Sequence, residues 1–314
     1  MNFHGSDIIS VNQFDLADVT TLFTLAHRMR GIAKGETKCK LLEGAILGNL
    51  FFEASTRSRM SFASAFMRLG GQVNSTTGFA FSSMDKGESL SDAITVIKDY
   101  CDALVIRHPQ IGAAQEAARY ADIPVINAGD GAGEHPTQAL LDLFTIFEER
   151  KVVNGSTIAF VGDLKFGRTV HSLAKLLTLY QGVNYVCIAP PQVQMPDLLI
   201  QEIRSKGFDI TLTDDLETGV RSADVVYSTR IQEERFEDKM EFETIKDLCV
   251  LNRKIVTEKC KKDVTIMHPL PRTSELSTDL DSMPNAAYFR QSANGVLVRM
   301  ALFLLLLGRE SQLV

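Results

Sequence analysis

The 314-residue chain predicts an α/β protein of two doubly wound parallel-sheet domains joined by long helices. Three observations carry that prediction. Short apolar runs alternate with helical patterns along most of the chain, as strands covered by helices on both faces require. The alternation restarts after the helical stretch Pro136–Arg150, whose charged end "EERKVVNG" precedes a fresh apolar run. A hydrophobic content of 45% over 314 residues is enough to bury two cores of medium size.

The elements follow in order. Leu16, Val19, Leu22, Phe23 and Ala26 recur at helical spacing behind Asp15, an N-cap residue, so the chain opens with an amphipathic helix. Strands are predicted at 45–52, 103–107 and 123–128, then at 157–161, 184–189, 209–212, 224–228 and 264–267. Helical patterns between them include 57–69, 136–150, 168–180 and 196–206. The most apolar tract, 296–307, is interrupted by Arg299. At about a dozen residues it falls short of the roughly 20 that a membrane span needs, so it reads as a buried, terminal helix.

Composition excludes several classes of function. A net charge of −6 argues against general nucleic-acid binding, so any anion site must be local. The five cysteines are widely spaced, with no C-x-x-C pair, and read as reduced structural thiols. Residues 1–7 lack the basic flank and apolar core of a signal peptide, which makes the expected location cytoplasmic. No metal-ligand spacing and no cofactor fingerprint is found; "FVGDLKFGRTVHS" follows a strand but lacks G-x-G-x-x-G.

In open parallel sheets ligands bind outside the carboxyl ends of the strands, and the polar clusters fall there. Ser55, Thr56, Arg57 and Ser58 lie between an apolar run and a helical segment. A helix N-terminus, hydroxyl donors and a planar cation together suit a phosphate-like anion. The same residues read equally well as ordinary N-capping beside a solvated arginine. Arg107 ends the strand of "DALVIRHPQ", and "EHPTQALLDLF" puts His135 at a helix start with Pro136 in its first turn and Gln138 one turn along. The loop "FSSMDKGESL" adds Ser82, Ser83 and Lys86, which by themselves describe a solvent loop. Later strands end at Arg168, at Arg230 and Gln232, and at the Pro-rich turn "HPLPR". Two sets of cations at facing strand edges would form a cleft for two anionic ligands, with chemistry resting on positioning and charge.

The ordered set "STRSR", "RHPQ", "HPTQALLDLFTI", "GDLKFGRTVHSL", "TRIQ", "HPLPR" and "NGVLVRMAL", from near residue 45 to near residue 305, resembles the aspartate/ornithine carbamoyltransferase family, on its aspartate-using side. Ser58 replaces a threonine of the family's phosphate motif and keeps the hydroxyl. The resemblance implies transfer of the carbamoyl group of carbamoyl phosphate to L-aspartate, giving N-carbamoyl-L-aspartate and phosphate, in pyrimidine biosynthesis. It implies a carbamoyl-phosphate-binding domain over 1–135, joined by a C-terminal helix at 291–314, and an aspartate-binding domain over 136–290.

By matching position, Ser55, Thr56, Arg57, Ser58 and Arg107 would hold the phosphate, and His135 and Thr56 would reach the carbonyl oxygen. Gln138 and the backbone carbonyls of Leu270 and Pro271 would lie near the carbamoyl nitrogen. Arg168, Arg230 and Gln232 would hold aspartate's carboxylates. Ser82 and Lys86 would come from a neighbouring chain, which implies a homotrimer with shared sites; Asp85, where some relatives carry a second basic residue, would tune that loop. Regulatory chains are left open, and neither nucleic acid nor membrane is implied. The nearest rival is an ornithine-using transferase, against which the residues around Arg230 and Pro269 argue. A non-catalytic phosphate-binding module would not need the later arginines, and a nicotinamide dehydrogenase would need the missing glycine fingerprint.

Overall fold

The computed structural model describes residues 1–78, 87–236 and 238–313. The chain divides into two compact units, one of Met1–Leu141 with Ala293–Val314 and one of Asp142–Ser292. Each is a parallel sheet with helical crossovers.

In the first unit, β1 (Ile46–Phe51), β2 (Gln72–Thr77), β3 (Ala103–His108) and β4 (Val125–Asp130) lie in the order β2-β1-β3-β4. All three pairings are parallel, so helices must return the chain between strands. The helices are α1 (Leu16–Arg28), α2 (Arg30–Lys34), α3 (Thr56–Arg68), α4 (Leu90–Ile97), α5 (Ala113–Tyr120) and α6 (Pro136–Arg150). Helix α1 begins where the sequence says it should: the Asp15 side chain accepts the Asp18 N–H, and Asp18 returns the favour at the Asp15 N–H.

In the second unit, β5 (Thr157–Gly162), β6 (Asn184–Ile188), β7 (Ile210–Thr213), β8 (Val225–Thr229) and β9 (Thr265–Met267) lie in the order β7-β6-β5-β8-β9, again all parallel. Its helices are α7 (Arg168–Leu177), α8 (Asp197–Ser205), α9 (Leu216–Gly219), α10 (Lys239–Ile245) and α11 (Arg253–Lys259). The last helix, α12 (Tyr288–Leu306), and α6 each contain a point at which the division between units falls.

Two expectations need correction. Strand β2 was not anticipated: its sequence QVNSTT has no apolar run, because it is an edge strand with mostly exposed side chains, paired through its backbone ladder and the Ser75 hydroxyl, which donates to the Asn49 carbonyl at 3.3 Å. The C-terminal helix, expected over 291–314, spans Tyr288–Leu306: Arg290, Gln291, Ser292 and Asn294 hide its start from a search for apolar runs, and Gly308 at φ 62° follows its end. No helix among the described residues is long and apolar enough to cross a membrane.

The cores are the inward faces of these layers. In the first unit α3 is held against α12, with Phe66 edge-on to Phe303 at 4.9 Å. Arg299, the one charge in the apolar tract, lies over the Phe62 ring at 4.5 Å and donates to Ser61 Oγ at 2.7 Å. Asn49, buried in β1, donates to the Arg59 carbonyl at 3.2 Å and so ties the strand to the first turn of α3. All five cysteines are free thiols, and burial pushes Cys187 up to about 12 and Cys249 up to about 11.

Gly162 ends β5 with φ 111°, and a Cβ there would stand 2.0 Å from the Thr229 carbonyl oxygen on β8. Neither backbone can yield without breaking the β5–β8 ladder, in which Gly162 and Thr229 are register partners. Gly162→Ala is therefore expected to cost about 3 kcal/mol or more, from strain at positive φ plus the clash. A urea midpoint equal to that of the parent chain would contradict this.

Candidate active site: anion-binding strand ends

In the first unit three polar clusters among the described residues lie at the exits of β1, β3 and β4, which are consecutive in the sheet. With strands about 4.8 Å apart, the exits of β1 and β3 are immediate neighbours and that of β4 is roughly 10 Å from the first. The chain runs from β1 outward to β2, then returns to the other side of β1 for β3. The gap between β1 and β3 is thus a topological switch point, where crossovers leave in opposite directions and open a crevice.

Ser55 is extended (φ −160°, ψ 106°) and precedes α3 as its N-cap, but makes no side-chain cap bond. The first N–H groups of α3 therefore remain available to an outside acceptor. Thr56 and Arg57 are exposed, and Ser55 and Ser58 are half-buried, as an open anion cradle needs. Arg107, on β3 opposite Phe51, donates to the Ala128 carbonyl at 3.3 Å and pairs with Glu53 at 2.6 Å. Sequence reasoning missed Glu53, although it sits two residues before the serine-threonine cluster. It holds the guanidinium at the strand exit and lowers its net field.

His135 is buried at the start of α6, where its carbonyl accepts the Gln138 and Ala139 N–H groups. Its approach loop is fixed by Asp130, whose carboxylate accepts the N–H groups of Gly112 and Glu134 at 2.9 and 2.8 Å and an Asn127 amide N–H at 3.2 Å. Glu134 in turn accepts from Ser10 Oγ and the Val11 N–H. Gly131 (φ 53°) lets this loop pass the Pro109 carbonyl, which a Cβ would meet at 2.5 Å. Ser82, Lys86 and the neighbouring Asp85 lie outside the described residues.

The second unit repeats the arrangement. Its chain runs from β5 to β6 and β7 on one side, then crosses to β8 and β9 on the other, so the switch point lies between β5 and β8. Arg168 leaves the β5 exit as the first residue of α7 and is half-buried. Arg230 directly follows β8, with Gln232 two residues on. Buried Asp163 organises this edge: it accepts the Phe166 N–H at 2.9 Å and both the backbone and side-chain N–H of Gln232 at 3.3 Å. Burial raises the Asp163 carboxyl, and these bonds offset part of that rise. Arg230 is paired with Glu234 through both terminal nitrogens, at 2.5 and 3.1 Å, which raises its pKa further. Two N–H groups go to Glu234, and a guanidinium has five to offer.

The third exit follows β9. His268 is buried; its Nδ1 accepts the Leu270 N–H at 2.8 Å, so Nε2 carries the proton and donates to Glu275 at 2.9 Å. Leu270 adopts φ 58°, a region leucine enters only where its surroundings hold it, and the Leu270–Pro271 bond is cis. Glu275 also accepts from the Thr273 N–H and hydroxyl. Burial alone would raise Glu275, but the bonds from His268 and Thr273 outweigh it and hold the carboxyl down at about 2. A depressed carboxylate stabilises the fold fully above its ordinary value of 4.5 and loses that contribution as pH falls towards about 2. Glu275→Gln is expected to flatten the dependence of stability on pH across that window, as followed by circular dichroism. An unchanged acid limb would contradict the role of Glu275.

Comparison with known proteins places these clusters in context. Residues 6–148 match the family model described as aspartate/ornithine carbamoyltransferase, carbamoyl-P binding domain, and residues 154–306 match its Asp/Orn binding domain. An aspartate carbamoyltransferase catalytic subunit from Cellvibrio japonicus is 49% identical over 99% of this chain and 95% of its own length. One from Leptospira biflexa is 51% identical over 98% of each chain. Among solved structures, aspartate transcarbamoylase from Trypanosoma cruzi bound to N-(phosphonacetyl)-L-aspartic acid superposes with a TM-score of 0.92, at 42% identity over 97% of each chain. The same enzyme bound to carbamoyl phosphate gives 0.92 at the same identity and coverage.

Proposed function

The chain belongs to the aspartate/ornithine carbamoyltransferase family, and from that premise we infer that it transfers the carbamoyl group of carbamoyl phosphate to L-aspartate. The products are N-carbamoyl-L-aspartate and phosphate, on the route to pyrimidines. One observation carries the choice of aspartate: Arg168 and Arg230 leave adjacent strands of one sheet, with the Gln232 amide between Asp163 and solvent. Two guanidiniums suit a dicarboxylate and repel ornithine's ammonium.

The phosphate of carbamoyl phosphate sits against Ser55, Thr56, Arg57, Ser58 and Arg107, in the domain of residues 1–135 completed by the C-terminal helix. What supports this is the uncapped start of α3 beside the Arg107 exit. His135 and Thr56 donate to the carbamoyl oxygen, and Gln138 with the carbonyls of Leu270 and Pro271 accepts from the carbamoyl nitrogen. Aspartate binds the domain of residues 136–290 through Arg168, Arg230 and Gln232. Its amine attacks the carbamoyl carbon, the oxygen gains negative charge in a tetrahedral intermediate, and the departing phosphate accepts the amine proton. The reaction needs no cofactor in this scheme; preplaced donors lower the barrier. Ser82 and Lys86 complete the site of a neighbouring chain in a cytoplasmic homotrimer, with Asp85 moderating their charge. Sedimentation of fully active enzyme at the mass of one chain would contradict the trimer.

The direct test supplies carbamoyl phosphate with aspartate or ornithine in parallel. Carbamoyl-aspartate is expected from the first and no product from the second; the reverse result overturns the charge argument. Arg230→Ala should lower kcat/KM for aspartate about 10- to 100-fold, the worth of a charge-assisted bond, while carbamoyl phosphate binding holds. Unchanged aspartate kinetics would remove Arg230 from the site. His135→Ala should lower kcat about 100- to 1000-fold, the cost of one oxyanion donor, and a normal rate would refute that role.

A further inference from the structure

A buried polar chain lies behind the β9 exit, within the second unit, and none of its members touches substrate in the scheme above. Gln291, in the first turns of α12, accepts the His268 N–H at 2.9 Å and donates to Asp142 at 2.6 Å. Asp142, on α6, accepts the Tyr227 hydroxyl on β8 at 2.7 Å. All four residues are buried. The chain therefore joins two helices, the β8 strand and the His268–Pro271 turn, whose Leu270 is held at φ 58°.

We propose that Gln291, oriented by Asp142 and Tyr227, is a positioning residue that fixes the His268–Pro271 turn and so aims the Leu270 and Pro271 carbonyls at the carbamoyl nitrogen. The proposal rests on the assignment of those carbonyls given above. A primary amide is the side chain that fits: its oxygen meets a backbone N–H and its nitrogen meets a carboxylate. Glutamate of the same length would satisfy His268 but would set two carboxylates against each other. Asparagine at 142 would restore a donor opposite that glutamate and keep an acceptor for Tyr227. Displacing the turn by an ångström is enough to slow the reaction on the order of 100-fold.

The test is a double-mutant cycle on the intact enzyme: Gln291→Glu, Asp142→Asn and both together. Each is assayed for kcat, for KM of carbamoyl phosphate and aspartate, for inhibition by inorganic phosphate, and for Tm. Gln291→Glu is expected to lower kcat about 100-fold and to weaken carbamoyl phosphate, while inhibition by inorganic phosphate, which has no carbamoyl nitrogen, stays within about twofold. The double variant should recover most of the turnover. If Gln291→Glu does not fold, the double variant still decides: folded and fast supports the relay, folded and slow overturns it. A Tm loss with wild-type kcat and carbamoyl phosphate affinity would reduce the chain to a structural role and also overturn the proposal. Failure of the parent enzyme to carbamoylate aspartate would instead reject the functional reading itself.

Discussion

A strand in a parallel sheet can be followed only by a crossover, so its carboxyl end must turn into the N-terminal end of whatever comes next. Wherever strand order reverses, two such turns diverge and leave a crevice lined by N–H groups. Both sheets reverse once, between β1 and β3 and between β5 and β8. Ser55, Thr56, Arg57 and Arg107 stand at the first reversal, and Arg168, Arg230 and Gln232 at the second. The topology makes these turns the places where backbone donors and charge come together, which is the arrangement the proposed anion sites need.

Cations gathered at one strand edge repel one another, so each has to be held in place against its neighbours. Acids beside each cluster do this: Glu53 at Arg107, Glu234 at Arg230, and Asp163 at Gln232. Each fixes the side chain it pairs with. The cost is a weaker local field, and the gain is orientation settled before substrate arrives, which is what an electrostatic site requires. His268 and Glu275 serve the backbone in the same way, holding the turn at Leu270 through a ring nitrogen that accepts the Leu270 N–H and a carboxylate that accepts from the other ring nitrogen.

Much of this was legible in the sequence. Strands buried on both faces announce themselves as apolar runs, which is why β1, β3 to β6, β8 and β9 could be placed to within a residue or two. Arg57, Arg107, Arg168 and Arg230 were conspicuous because each interrupts or follows such a run. Strand β2 was invisible, since exposed side chains on an edge leave no apolar pattern. Glu53, Asp163, Asp142 and Gln291 were equally silent: their meaning lies in partners up to 149 residues away, and no local spacing encodes such a pairing. Position along the chain finds the cations, whereas only the folded structure finds what orients them.

We propose that each switch point binds one anion, phosphate at the first and carboxylates at the second. A crystal structure with a molecule that joins a phosphonate to aspartate tests it most directly. The phosphonate oxygens are expected against the first N–H groups of α3 and the Arg57 and Arg107 guanidiniums, with the carboxylates on Arg168 and Arg230. A phosphonate seated away from the start of α3, or carboxylates that leave Arg168 and Arg230 in solvent, would contradict it.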